Sequence, residues 1–310
     1  MFATQPFVPT QPGHLALLRQ ALGDDAEILA QVQEVFAEGK IQGLCGTVDG
    51  QPVAFTGWRW KDTPPTYAQL MFLYARPDAA DEGVMALTDV TLTTLRETAD
   101  VIEVPSPVAT PAFRTALQGQ DVVFFERCTM LRSIAGDSLP DAALPEGYRL
   151  EIWGDQHQIQ VEHVALAANQ HTEIDAAAVP DATGERLVAI LRNMRIGSYP
   201  GIDRWHAAAS LVVLTPAGDV CGYIATVVSE EMGFVADTAV HPAHRRQGLA
   251  RLLLTQSIAA CQADGLTKMG LAVTTRNPAR NLYASLEFET ATCGDLGVWW
   301  RDGRQLPWRV

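Results

Sequence analysis

Short apolar runs and stretches of helical periodicity alternate along the whole chain. In the second half, runs rich in Val, Ile, Leu and aromatic residues predict strands over Tyr148–Trp153, Ala208–Leu214, Val220–Val228, Phe234–Val240 and Lys268–Thr274, with a last one near Gly297–Arg301. Between them, apolar positions recurring every three to four residues predict helices over Gln158–Asn169, Ala182–Met194, Gly248–Ala263 and Ala279–Leu286. The clearest of these follows Gly248: Leu249, Leu252 and Leu253 form one stripe, widened by Leu254, Ile258 and Cys261. Such alternation predicts an α/β (α+β) fold, a mixed twisted sheet with helices packed on its faces.

The first half carries the same order. A strand rises out of a turn at Asp49–Trp58 and again at Ala217–Val228, and each is followed by a second strand, a turn and a helix. At an offset of 165, Ala75-Arg76-Pro77 falls on Val240-His241-Pro242, and Gly83 on Gly248. Self-similarity over this length implies a duplicated domain, because solenoid repeats recur every 20 to 50 residues. Ser133–Gly147, with two prolines, two glycines and no periodicity, reads as the connection. The expected organisation is a first domain over 1–135, a linker over 136–147 and a second domain over 148–310.

Composition narrows the function classes. With 47% hydrophobic and 19% charged residues the 310-residue chain is globular, and its length fits two domains of roughly 150 residues. No apolar run reaches the ~20 residues of a membrane span, and the start MFATQPFVPTQPG lacks the basic and apolar regions of a secretory signal. Five cysteines without a C-x-x-C pair suggest neither a disulfide framework nor a zinc site, and suit a cytoplasmic location. Apart from His241 and His244, three apart in a turn, the seven histidines take no ligand spacing beside acids or cysteines, so no metal is expected. The net charge is −13, and the excess is uneven: 9 Lys and Arg against 19 Asp and Glu up to Gly147, and 14 against 17 after it. Nucleic acid is a poor partner for such a surface; it could gather a cationic or amine-bearing molecule, and an acidic surface kept for solubility is the competing and favoured explanation.

One segment concentrates chemistry: Val240-His-Pro-Ala-His-Arg245-Arg246-Gln247-Gly248-Leu249-Ala250-Arg251. A strand ends at Val240, Pro242 breaks it, and a turn with two arginines and a glycine feeds a helix. Free N–H groups at a helix start, with the positive end of its dipole, attract anions. A glycine lets a diphosphate approach the backbone, and Arg245, Arg246 and Arg251 can add charge-assisted hydrogen bonds. A helix cap with solvated arginines is the competing explanation.

This loop resembles the pyrophosphate loop of the GNAT N-acetyltransferase superfamily, (Q/R)-x-x-G-x-(G/A), here Arg245-x-x-Gly248-x-Ala250. A second family element follows: Asn277-Pro-Ala-Arg-Asn281-Leu-Tyr283-Ala-Ser-Leu286-Glu-Phe288 is similar to the N…A…LY…LGF helix. The duplication resembles tandem acetyltransferases of the mycothiol synthase type. The resemblance implies acetyl-CoA as acyl donor, bound by Thr238, Ala239 and Val240 of the strand, by Arg245, Arg246, Gln247, Gly248, Leu249, Ala250 and Arg251 of the loop, and by Asn277 and Asn281. It also implies direct attack by a small-molecule amine, with Tyr283 assisting the departing thiolate. The oligomer would be a monomer or homodimer.

The sequence departs from the family in three places. A Glu or His acts as base six residues before the Val240 position in several members, and that position here is Phe234. Asp237 is the nearest replacement on the strand, with Glu230 and Glu231 in the turn before it, but plain alternation sets Asp237 on the face opposite Phe234. Glu287 stands where the family has Gly, which costs little if φ is negative there. The first domain has Ala80-Asp81-Glu82 where the second has Arg245-Arg246-Gln247, so its two carboxylates would repel a diphosphate. That domain is expected to keep the fold without the cofactor. The segment His171–Asp175 reads as a polar loop where relatives contact acceptors, and Trp299 and Trp300 as the seal of the sheet edge. The leading function is therefore an acyl-CoA-dependent N-acyltransferase. A non-catalytic acyl-CoA-binding or regulatory protein is the alternative, and a transferase using aminoacyl-tRNA is disfavoured by the charge.

Overall fold

In the computed structural model, the described residues are 1–62, 65–105, 111–136, 142–169, 175, 178–180, 184–198, 202–303 and 306. His171–Ile174 and residues 137–141 of the expected linker lie outside them.

The first half folds as β1 Phe2–Pro6, α1 Pro12–Leu22, α2 Ala26–Ala37, β2 Gln42–Val48, β3 Gln51–Trp60, β4 Tyr67–Ala75, α3 Asp81–Arg96, β5 Val101–Val104, α4 Pro111–Gln118 and β6 Val123–Ser133. The second continues with β7 Arg149–Ile152, α5 Gln158–Ala168, α6 Gly184–Arg195, β8 Arg204–Trp205, β9 Leu211–Leu214, β10 Val220–Ser229, β11 Met232–Val240, α7 Leu249–Ala263, β12 Lys268–Thr274, α8 Ala279–Ala284 and β13 Glu289–Trp300. The duplication is therefore a repeat of mixed α/β units. Among the described residues, no helix is long and apolar enough to cross a membrane.

Leaving aside the last five residues, the compact units are Met1–Phe125 with Gly294–Gln305, and Glu126–Cys293. These bounds differ from 1–135 and 148–310 for a physical reason. In the second unit, β6 fills the slot beside β12, pairing antiparallel from Arg127↔Thr274 to Ser133↔Lys268. In the first, the end of β13 fills the slot beside β5, from Gly297↔Val104 to Trp300↔Val101. Each unit thus takes a strand from the other half of the sequence. Trp299 and Trp300 accordingly belong to the first unit, where Trp299 packs against its core and Trp300 is buried.

In the second unit the strand order is β6-β12-β11-β10-β9-β7, with β8 added to β10. Two cores flank it. On one face Leu249, Leu252, Leu253, Leu254, Ile258 and Cys261 of α7 pack on Val213, Ile224, Val235 and Leu271, so the leucine stripe is buried as its spacing dictates. On the other face Val161, Val164 and Ala165 of α5 and Leu187 and Leu191 of α6 pack on Tyr223 and Ala225.

Cys128 of β6 and Cys293 of β13 are joined by a disulfide, and their separation of 165 residues equals the offset of the internal repeat. The scattered spacing of the five cysteines hid this pair, because only the strand exchange brings equivalent positions side by side. Glu126, Cys128 and Cys293 form a group with ligand-type atoms close together, but both sulfurs are spent in the bond. Cys45, Cys221 and Cys261 are free and buried.

Candidate active site

The site is organised by an irregularity in β11. Val227 pairs with Phe234 and Thr226 with Val235, but Ala225 pairs with Asp237, so Ala236 is an extra residue on β11. A bulge of this kind resets the alternation of the strand beyond it. Directly paired residues share a face, and Val227, Ala225 and Tyr223 alternate on β10. Phe234, Asp237 and Ala239 therefore lie on one face, and the expectation that Asp237 opposes Phe234 is overturned. Glu230 and Glu231 occupy the exposed β10–β11 turn with φ of 50° and 60°, at the other end of β11 from Val240.

The bulge also marks where β11 and β12 part. Their parallel pairing covers only Gly233–Val235 with Met269–Leu271. Asp237–Val240 are still paired to β10, through Asp237↔Ala225, Thr238↔Ile224, Ala239↔Tyr223 and Val240↔Gly222. The Thr238 hydroxyl donates to the Tyr223 carbonyl at 2.9 Å.

Asp237 is held in this cleft by the hydroxyl of Tyr223, a fully buried residue, which donates to its Oδ2. Burial pushes the Asp237 carboxyl up to about 6; the Tyr223 hydrogen bond and the Thr238 amide oppose the shift, and the Asp175 charge adds to it. Tyr283 of α8 packs on the α7-side core, with its ring 6.3 Å from that of Phe288. Its phenol is pushed up by burial and then by the charges of Asp175 and Asp237, against Arg127. The charges of Asp175 and Asp237 thus both bear on Tyr283, which is a phenol, never a phenolate, near neutral pH. Sequence reasoning missed Tyr223 and Arg127. Arg127 stands in the first half of the chain, and no local pattern connects it to this site.

The loop after β11 divides its work. Arg245 turns inward: its Nε donates to the Val240 carbonyl at 3.2 Å and a terminal nitrogen to the Ala168 carbonyl at 3.1 Å, closing the end of α5. Arg246 is exposed and left-handed, with φ 64°. Gly248 caps α7 at φ 80°, and a Cβ there would meet nothing within 4 Å. Gln247 and Gly248 are exposed, Leu249 is buried, Ala250 half-buried, and Arg251 donates to Ser285 Oγ at 2.7 Å, tying α7 to α8.

Asn277 is fully engaged. Its Oδ1 accepts from the Ala279 amide at 2.9 Å, capping α8, while its Nδ2 donates to Asp175. Asn277 and Asn281 both line a cavity of about 520 Å³, with Arg276, Arg280 and Thr290. Glu287 adopts φ 60°, so the condition for a cheap departure from Gly is not met; the buried Arg132 compensates by contacting its carboxylate at 3.2 Å and the Leu286 carbonyl at 2.7 Å.

The first unit lacks this loop. Helix α3 starts at Asp81 directly after Ala80, and Gly83 lies within the helix, where a Cβ would sit 3.5 Å from the Phe2 ring. No left-handed glycine turn precedes the helix, and Asp81 and Glu82 occupy its first turn.

Residues 190–288, which contain the bulge, the parting strands and the glycine-capped helix, match the acetyltransferase (GNAT) family model. This part of the chain is a GNAT domain. No curated protein matches the sequence. Among solved structures, the chain is similar to a GCN5-related N-acetyltransferase from Sphaerobacter thermophilus at 14% identity, over 98% of this chain and 96% of that one, with a TM-score of 0.60. It is also similar to a tandem GNAT protein from the clavulanic acid biosynthesis pathway, at 14% identity, 97% and 98% coverage and a TM-score of 0.53. A third likeness is to the glucosamine N-acetyltransferase region of a fungal multi-domain β-N-acetylglucosaminidase: 14% identity, 96% of this chain but 38% of that one, TM-score 0.60. The tandem GNAT fold therefore extends over nearly the whole chain, and residues 190–288 carry the part that matches the acetyltransferase family.

Proposed function

We propose that the second unit transfers an acetyl group from acetyl-CoA to the amine of a small molecule, with Asp237 as proton acceptor and Tyr283 as proton donor. The observation that carries this reading is the bulge at Ala236, which turns Asp237 onto the face of Phe234 at the point where β11 and β12 separate.

Residues for the donor are present. The exposed Gln247 and Gly248 amides and the Arg246 side chain would receive the diphosphate, with no Cβ at Gly248 to obstruct it. The backbone of Thr238–Val240, unpaired on the β12 side, would hold the pantetheine arm as a neighbouring strand would. Leu249 and Ala250 contribute backbone at the helix start, and Arg251 secures α8 through Ser285. Arg245 acts by shaping the loop, and Asn277 by capping α8.

Bound acetyl-CoA supplies the thioester whose carbonyl carbon the acceptor nitrogen attacks. An ammonium must lose its proton first, and Asp237, a stronger base than an ordinary carboxylate, can take it above about pH 6. Tyr283 stays protonated and can donate to the departing sulfur. The first unit, with carboxylates in place of the anion-binding loop, serves a structural role. The test is a screen of thiol release from acetyl-CoA across mono- and polyamines, amino sugars and amino acids. Turnover with one of them supports the reading. Tight CoA binding without turnover on any amine supports the binding-protein alternative.

A further inference from the structure

The chain carries a net charge of −13, so an arginine finds a carboxylate easily. Arg76, Arg114, Arg192 and Arg204 each form an ion pair with one. Two arginines that line the same cavity of about 520 Å³, Arg276 and Arg280, do not. Among the described residues the Arg276 side chain makes no hydrogen bond or ion pair. Arg280 bonds only neutral oxygens, the Thr275 carbonyl at 3.4 Å and the Thr290 hydroxyl at 3.2 Å. Its Nε is buried and has no partner among the described residues.

The neighbouring acids are committed elsewhere. Glu126 accepts from the Thr275 hydroxyl at 2.7 Å, and Asp175 is engaged by Asn277 and by Arg127, which lies 3.5 Å away. Glu287 is paired with Arg132. Glu289, exposed at the start of β13, alternates with Thr290, which lines the cavity, and so belongs to the other face of the strand.

We propose that this cavity is a second small-molecule site of the second unit, for an organic anion that carries a carboxylate or a phosphate monoester on a compact apolar body. None of its described lining residues comes from β11, from the loop before α7 or from α7 itself, so a diphosphate held at Gly248 does not fill it. The inference goes beyond the acetyl-transfer reading and does not depend on it.

Two guanidinium groups without a counter-charge raise the potential in a concave space, and an anion entering it gains more than on an open surface. Arginine forks match the paired oxygens of a carboxylate or a phosphate. Arg280 is already held by Thr275 and Thr290, so little side-chain freedom remains to be lost when a ligand arrives. Asn281 adds an amide that no described residue engages. Met130 and Phe288, both buried, give the cavity an apolar wall. Its volume falls within the roughly 300–1,000 Å³ of small-molecule sites, and a bare inorganic ion would leave most of it empty. Solvated arginines on a convex surface would show neither the buried, unpaired Nε nor the apolar wall.

The probes are phenyl phosphate and phenylacetate, with 2-phenylethanol as the uncharged control. Binding to the full-length protein is followed by NMR on the arginine Nε–H groups, with and without saturating acetyl-CoA. At least one of the two anions should bind saturably at one site per chain and shift the Arg280 signal, and 2-phenylethanol should not. The affinity should be the same with acetyl-CoA bound. Arg276→Glu, at an exposed position, and Arg280→Gln should each weaken the anion at least about tenfold, the equivalent of one lost charge-assisted hydrogen bond. Arg276→Lys should keep most of the affinity, and Arg276→Glu should bind acetyl-CoA as the parent does. Equal anion affinity in folded Arg276→Glu and Arg280→Gln overturns the proposal, as does the lack of saturable binding by either anion. Displacement of the probe by acetyl-CoA, with loss of probe binding in Gly248→Val, overturns it too, because the oxyanion site would then be that of the cofactor's own phosphates. The readout is binding alone, so a failed amine screen leaves this test intact.

Discussion

Phe234 and Asp237 share a face of β11 although they are three positions apart, because Ala236 is an extra residue opposite the step from Thr226 to Ala225 on β10. An extra residue is costly in a ladder, since it leaves backbone groups without their regular partners. Here it is placed where the pairing with β12 ends, so one irregularity both opens the cleft and aims a carboxylate at it. Burial of that carboxylate away from bulk water raises its proton affinity, and the opposing hydrogen bond from Tyr223 only partly offsets this.

Replacing Asp237 with Asn should separate activity from stability. Removing a general base typically costs 10²–10⁴-fold, so kcat should fall by roughly that range while acetyl-CoA affinity is kept. The stability effect has the opposite sign. Asp237 binds its proton more tightly folded than unfolded, so it favours the folded state below the unfolded value of 3.8, and this contribution is lost as pH rises through about 6. At pH 7.5 the ionised buried carboxylate is a burden, and Asp237→Asn should match or exceed the parent, by an amount on the order of 1–3 kcal/mol at most. Melting curves at pH 5 and pH 7.5 check it: the advantage of the variant must grow with pH.

How much of this was legible in the sequence depended on how local the cause is. The α7 stripe and the Gly248 cap are local, and Leu249, Leu252, Leu253 and Ile258 lie where the spacing puts them. A bulge is a relation between two strands, and nothing in Val235-Ala236-Asp237 announces it. The exchange of β6 and β13 is harder still, because strands that resemble each other across the repeat can fill the same slot, and only packing chooses between them. Asp175 and Arg127 meet across 48 residues and two elements of regular structure, so neither could be assigned from its neighbours.

Calorimetry should find one acetyl-CoA site per chain. The left-handed glycine turn is present before α7 and absent before α3, where Asp81 and Glu82 take its place. A stoichiometry near two would require the first unit to bind as well and would refute the assignment.

Gly248→Val should abolish that binding while the protein still folds. The left-handed φ of 80° costs a non-glycine residue about 1–2 kcal/mol, and more when it is β-branched. Nothing within 4 Å obstructs the side chain, so the loss of stability should stop there. The side chain would project into the space open to the diphosphate. Gly248→Ala should keep a weakened affinity, and equal affinity in both folded variants would reduce the loop to a helix cap.

Alkylation of denatured protein without reductant should label three cysteines, Cys45, Cys221 and Cys261, and five after reduction. In the native fold all three should resist labelling, since burial pushes the thiols up to about 11, 11 and 12. Five labels without reductant would show the Cys128–Cys293 bond to be unformed.

Tyr283→Phe is the sharpest test of enzyme against binding protein. The substitution keeps the ring that packs near Phe288 and on the α7-side core, and removes only the hydroxyl. If that hydroxyl donates to the departing thiolate, its interaction strengthens as charge develops on sulfur, and it lowers the barrier without tightening the ground state. Acetyl-CoA affinity should then hardly change, while kcat falls by roughly 10²–10⁴-fold, or less where water replaces the phenol. Loss of the phenol also removes a proton donor that stays protonated well above neutral pH, so the ratio of the two kcat values should be constant between pH 6 and 9. A merely structural tyrosine gives the reverse pattern, with unchanged turnover and about 1 kcal/mol of lost stability if the hydroxyl was hydrogen-bonded. Thiol-trapping kinetics and a thermal melt on the two proteins decide the matter, and equal kcat values would take Tyr283 out of the mechanism.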